Sequence, residues 1–180
     1  MRLFVAICLT EACKDALCAA SAQLRQHALR GNFSRRENLH LTLAFLGETA
    51  RLDAAKRALG AVQAEPFSLR LAGLGRFRRG SGDLWWMGVS ESGALTALQR
   101  QVYEALAAEG FSLEKRAFHP HLTLGREIIL ENGFDPTRAI RIPPMGMQVA
   151  QISLMESRRI SGVLQYIPRA AQPLNAGGGA

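Results

Sequence analysis

The chain has 180 residues, 48% of them hydrophobic, and nowhere the run of ~18 to 20 apolar residues that a membrane helix needs, so it reads as a globular chain with a sizeable core and no membrane partner. Its 22 basic residues outnumber 15 acidic ones for a net charge of +7, and 19 of the 22 are arginine. That balance suits a polyanionic partner and is equally what a GC-rich genome produces. Cys8, Cys13 and Cys18, odd in number and confined to one end, argue against a disulfide framework or a zinc ribbon and fit a reducing, cytoplasmic setting.

Leu3 to Ile7 reads as a buried strand. The apolar start resembles a short secretory segment, but Glu11, Lys14 and Asp15 follow before any cleavage site, which argues against one. Thr10 is placed to cap a helix over Ala12 to about His27, and Gly31-Asn32 marks a loop. Leu39 to Leu46 alternates as a strand ending at Gly47-Glu48, and Asp53 to Ala64 reads as a helix stopped before Pro66. Phe67 to Phe77 and Leu84 to Val89 read as a hairpin around the turn at residues 78–83. Gly93 to Glu109 carries Leu95, Leu98, Val102 and Leu106 at helical spacing. A strand from His121 to Ile128 follows, then a loop-rich stretch from Asn132 to Pro144. Strands over Val149–Met155 and Val163–Ile167 flank a turn at Ser161-Gly162. Strands flanking isolated helices predict an α+β fold with antiparallel sheets. One domain is expected over residues 1–170, with a flexible tail over 171–180.

His-Leu-Thr-Leu occurs twice, at residues 40–43 and 121–124. On a strand, alternate side chains share a face, so each copy offers one imidazole and one hydroxyl on one side and leucines on the other. Strict alternation adds Ala44 and Gly125 to the histidine faces, where small residues leave room for a ligand, and puts Phe45 with the leucines. If the halves pack symmetrically, two histidines and two hydroxyls converge on one small anion. One histidine can then take a proton from water while the other gives one to a leaving oxygen, and the hydroxyls can stabilise charge on phosphoryl oxygens. This scheme calls for no metal and no cofactor. A single His-x-Thr carries no such meaning, and a duplication without catalysis would also leave a repeat, but the flanking sequences differ almost entirely.

The stretches Leu39-His-Leu-Thr-Leu-Ala-Phe-Leu-Gly-Glu48 and His119-Pro-His-Leu-Thr-Leu-Gly-Arg126 resemble the two signature motifs of the 2H phosphoesterases, and among them the RNA 2',3'-cyclic phosphodiesterases once called 2'-5' RNA ligases. Further similarity lies at residues 2–7, 36–39, 75–77 and 86–89, so the resemblance spans roughly residues 2 to 167. It implies a two-lobed, pseudo-twofold arrangement of antiparallel sheets with flanking helices and a central cleft. It implies hydrolysis of a terminal RNA 2',3'-cyclic phosphate to a 2'-phosphomonoester. A monomer is expected. On the family pattern His40 is the general acid, His121 the general base, and Thr42, Thr123 and Arg126 bind the phosphate.

Simple alternation points Arg126 away from His121 unless Gly125 hosts a bulge. The chain has Phe33 where the family commonly has Trp, and Arg78 where Pro commonly follows Phe77. Phe33 and Phe77 are candidates for base stacking. Arg35, Arg36, Arg76, Arg78 and Arg79 form either a rim that guides RNA or an ordinary solvated surface. Two alternatives stay open: reversible, ATP-independent joining of RNA ends through a 2'-5' bond, and a non-catalytic RNA-end or nucleotide binder.

Overall fold

The structure is a computed structural model and describes residues 1–175. In chain order the elements are β1 (Arg2–Cys8), α1 (Glu11–Gln26), β2 (Ala28–Phe33), β3 (His40–Glu48), α2 (Leu52–Gly60), β4 (Phe67–Phe77), β5 (Asp83–Val89), α3 (Gly93–Ala108), β6 (His121–Leu130), the single turn α4 (Pro136–Ala139), β7 (Gly146–Val149), β8 (Gln151–Ile160) and β9 (Val163–Pro173). Thr10 caps α1 through its hydroxyl, which accepts from the Cys13 N–H, and Ser92 caps α3 by accepting from the Leu95 N–H.

The strands form two antiparallel sheets, ordered β3-β1-β8-β9 and β2-β6-β5-β4-β7. The pair β1–β3 in the first sheet corresponds to β5–β6 in the second, and β3 lies against β6 where the lobes meet. Two helices, α1 and α3, cross-link the lobes. α1 leaves the first sheet and packs on β2 and β6 of the second, α2 packs on β8 and β9, and α3 touches both β3 and β4. Leu3, Val5 and Ile7 of β1, Leu17 and Leu24 of α1, Leu98 and Leu106 of α3, and Leu41 and Leu122 behind the two histidines all join one hydrophobic cluster.

Several elements depart from the sequence expectation. Gly31-Asn32 lies inside β2, where Gly31 adopts φ +154 and an added Cβ would strike Ile128 at 2.6 Å. The glycine permits close approach of two strands and is not a loop signal. α2 ends at Gly60, short of the expected Ala64. The apolar run around Val149 is divided between sheets: β7 pairs with β4, and β8 pairs with β1 and β9. The chain stays ordered past residue 170, since β9 runs to Pro173 and Leu174 is buried; the rest of the expected tail, residues 176–180, lies outside the described residues.

Candidate active site

His40 opens β3 and His121 opens β6. Each donates its Nδ1 proton to the carbonyl two residues upstream, His40 to Asn38 and His121 to His119, both at 2.7 Å. With Nδ1 engaged, the other ring nitrogen, Nε2, is the one left for chemistry. In the first lobe the Thr42 hydroxyl donates to His40 Nε2 at 2.9 Å.

One residue past each threonine the strand bulges. Thr42 pairs with Ala6 and Ala44 with Val5, which leaves Leu43 unpaired; Thr123 pairs with Trp86 and Gly125 with Trp85, which leaves Leu124 unpaired. The same defect occurs at equivalent positions in both lobes, and it reverses the alternation downstream. Ala44 and Gly125 therefore turn away from the histidines, contrary to the sequence expectation. Ala44 is in the core, and a Cβ on Gly125 would meet Ile128 at 2.7 Å and the Asn32 carbonyl at 3.0 Å. Their small size serves packing and not a ligand. The second bulge is pinned by Ser34, whose N–H donates to the Leu124 carbonyl at 2.8 Å and whose hydroxyl donates to the Thr123 carbonyl at 2.7 Å.

Beyond the bulges Phe45 and Arg126 occupy equivalent positions, and both come out to the surface; Phe45 is 48% exposed rather than core. Arg126 makes no ion pair or side-chain hydrogen bond among the described residues, and its charge acts on His40, His121 and Tyr166 alike. β3 and β6 lie against one another, which brings both histidines and the arginine to one cleft.

The surroundings of the histidines differ. His40 lies against Phe4 and Tyr166, with ring centroids at 4.9 and 5.0 Å. His121 lies edge-on to Phe77 at 5.2 Å and near Trp86 at 6.2 Å. The Trp86 ring covers Gly75, where an added Cβ would come within 2.1 Å of it. Burial is the main reason both imidazoles are held below the ordinary histidine range, and the positive charge of Arg126 pushes each further down. A groove of about 710 Å³ opens beside His121, bounded by Phe118, Ser92 and Thr96, and does not reach His40.

Phe77 is thus at the site, whereas Phe33 faces α1, with the Arg25 guanidinium 4.5 Å above its ring, and is not brought to the histidines. Phe4, Phe45 and Tyr166 escaped the sequence reading. Phe4 and Phe45 look like ordinary core aromatics in the sequence, and Tyr166 lies 45 residues after His121, on a different strand. Among the described residues no group of three or more His, Cys, Asp or Glu side chains could hold a metal ion, and no helix is long and apolar enough to cross a membrane.

Two antiparallel sheets, each delivering one His-x-Thr strand to a common cleft, define the class of the 2H phosphoesterases. The chain superposes on E. coli LigT complexed with 3'-AMP with a TM-score of 0.78 at 28% identity, covering 97% of this chain and 98% of that one. Residues 13–160 match the profile of the 2'-5' RNA ligase superfamily, and the chain belongs to that family. It is 38% identical over 154 residues to an RNA 2',3'-cyclic phosphodiesterase of Geobacillus stearothermophilus, covering 83% of this chain and 49% of that protein. It is 30% identical over 163 residues to the Thermotoga maritima protein of the same name, covering 87% of each. The chain spans about half the length of several curated relatives it matches, the Geobacillus protein among them.

Proposed function

We propose that the protein hydrolyses 2',3'-cyclic phosphate ends of RNA to 2'-phosphomonoesters, without a metal or cofactor. The observation that carries this reading is the matched pair of imidazoles, each fixed through Nδ1 so that Nε2 is the reactive nitrogen. His121 Nε2 takes a proton from water as the water oxygen bonds to phosphorus. The P–O3' bond breaks, and His40 Nε2 protonates the departing O3'. The direction is supported by access: His121 borders the open groove from which water arrives, and His40 is walled by Phe4 and Tyr166. Thr42, Thr123 and Arg126 hold the non-bridging oxygens, with the Thr42 hydroxyl turning from Nε2 to the phosphoryl group when substrate binds. Phe77, and the exposed ring of Phe45, are surfaces on which a terminal base stacks.

One chain supplies the whole constellation, which supports a monomeric enzyme built as a single two-lobed domain. Three free thiols support a cytoplasmic setting. The test is turnover of a short RNA ending in a 2',3'-cyclic phosphate. We expect a product phosphate on O2', an unchanged rate in EDTA, and losses of roughly 10²- to 10⁴-fold in His40→Ala and in His121→Ala. A 3'-phosphate product, or activity abolished by EDTA and restored by a divalent metal, overturns the reading.

A further inference from the structure

The arginines of the rim separate into two groups. Arg35 pairs with Glu37 at 3.3 Å, Arg36 with Glu11 and Asp15 at 2.7 and 2.6 Å, and Arg76 with Asp83 at 2.8 Å. Arg78 and Arg79 are exposed and make no ion pair among the described residues. Both stand at the tip of the β4–β5 hairpin, immediately after Phe77, whose ring touches His121. The tip is fixed in place. The Arg79 carbonyl accepts from the Gly82 N–H at 3.3 Å, and the Ser81 carbonyl accepts from the Arg30 guanidinium at 2.9 Å. Gly82, at φ +118, sits so close to β6 that an added Cβ would come within 2.6 Å of the Glu127 backbone, one residue from Arg126. Two uncompensated guanidinium groups are therefore docked beside the Arg126 end of the cleft.

The groove at the other end, beside His121, is lined by Ser90, Glu91, Ser92 and Thr96 and by no Lys or Arg. A chain of phosphodiesters leaving the cleft meets two unpaired arginines on the tip side, where the Glu127 carboxylate is bonded by the Asn32 amide, and on the groove side Glu91 and an Arg116 already paired with Glu114. We infer that the β4–β5 tip binds the backbone of single-stranded RNA on the 5' side of the cyclic phosphate, with Arg78 and Arg79 each neutralising one phosphate. The protein then favours an oligonucleotide over a mononucleoside cyclic phosphate. The inference rests on the activity proposed above.

The test compares wild type with Arg78→Ala/Arg79→Ala on two substrates, a mononucleoside 2',3'-cyclic phosphate and a short single-stranded RNA with the same end. We expect kcat/KM on the RNA to fall roughly tenfold, and the slope of its logarithm against log salt to flatten by about 1.4, at ~0.7 per phosphate contact. Turnover of the mononucleotide stays within about twofold, which also reports an intact fold. Equal losses on both substrates, no loss on either, or an unchanged salt slope overturns the inference. Anisotropy with the same RNA ending in a 3'-phosphate reads the tip without chemistry. If wild type opens no cyclic phosphate, the activity reading fails, and a tenfold difference in this affinity still upholds the tip while equal affinities overturn it.

Discussion

Each imidazole of the two His-x-Thr strands sits in a setting that disfavours its charged form. Burial is the leading cause for both, and Arg126 adds repulsion, so both histidines titrate below their usual 6.5 in the free protein. An acid–base pair works when one member is protonated and the other is not, and kcat/KM reports that condition in the free enzyme. Its bell-shaped profile is therefore expected to peak below pH ~6.5. Bound phosphate brings negative charge next to the imidazoles and raises their pKa values, so the optimum of kcat lies higher than that of kcat/KM. Coincident optima, measured on a cyclic phosphate substrate, would contradict this electrostatic account. The roles separate by leaving group. A phosphodiester that releases nitrophenolate needs no proton on its leaving oxygen, so it should restore much of the rate lost in His40→Ala and little of that lost in His121→Ala.

The two bulges are the elements that turn similar strands into a site. Period-2 reading places His40, Thr42, His121 and Thr123 correctly, because those residues precede the defect. It misplaces Ala44, Phe45, Gly125 and Arg126, because an unpaired residue at Leu43 or Leu124 leaves no mark in the apolar pattern. Gly125 was the one legible hint of a bulge, and the strand β2 packed against it explains why no larger residue fits there. Gly75 has a comparable task on β4, since the Trp86 ring lies across it. Gly75→Ala is expected to displace that ring from beside Phe77 and His121, lowering stability by about 1 to 3 kcal/mol and reducing kcat/KM on cyclic phosphate. Urea unfolding and turnover, measured on the same preparation, check both effects. The division of residues 146–160 between sheets was illegible for a different reason: Val149, Ile152 and Leu154 are all buried, and burial alone does not say in which sheet.

At the scale of the molecule, the sequence supplied two half-sites, but not their meeting, which depends on β3 lying against β6 and on helices that pack across lobes. Tyr166 belongs to this level, as a residue of a distant strand placed against His40 only by the order β3-β1-β8-β9. The assembled cleft also carries a cost in acid. Because folding lowers both histidine pKa values, the unfolded chain binds more protons than the native one once pH falls below ~6.5, and stability falls with it. Above that pH both states hold the rings neutral and the effect vanishes. The urea midpoint should therefore drop between pH 7.5 and 5, and drop less in His40→Gln/His121→Gln; an identical drop in the two proteins would place the acid sensitivity elsewhere.

With Nδ1–H bonded to a carbonyl in each ring, a proton on Nε2 is all that separates the base from the acid. Burial and the charge of Arg126 disfavour that second proton in the empty cleft, against the pull of the two carbonyls. On the proposed mechanism, the proton destined for O3' is therefore disfavoured in the empty cleft. It is recruited from the surroundings by the anion that needs it, so substrate association near neutral pH takes up hydrogen ions, and its heat depends on which buffer gives them up.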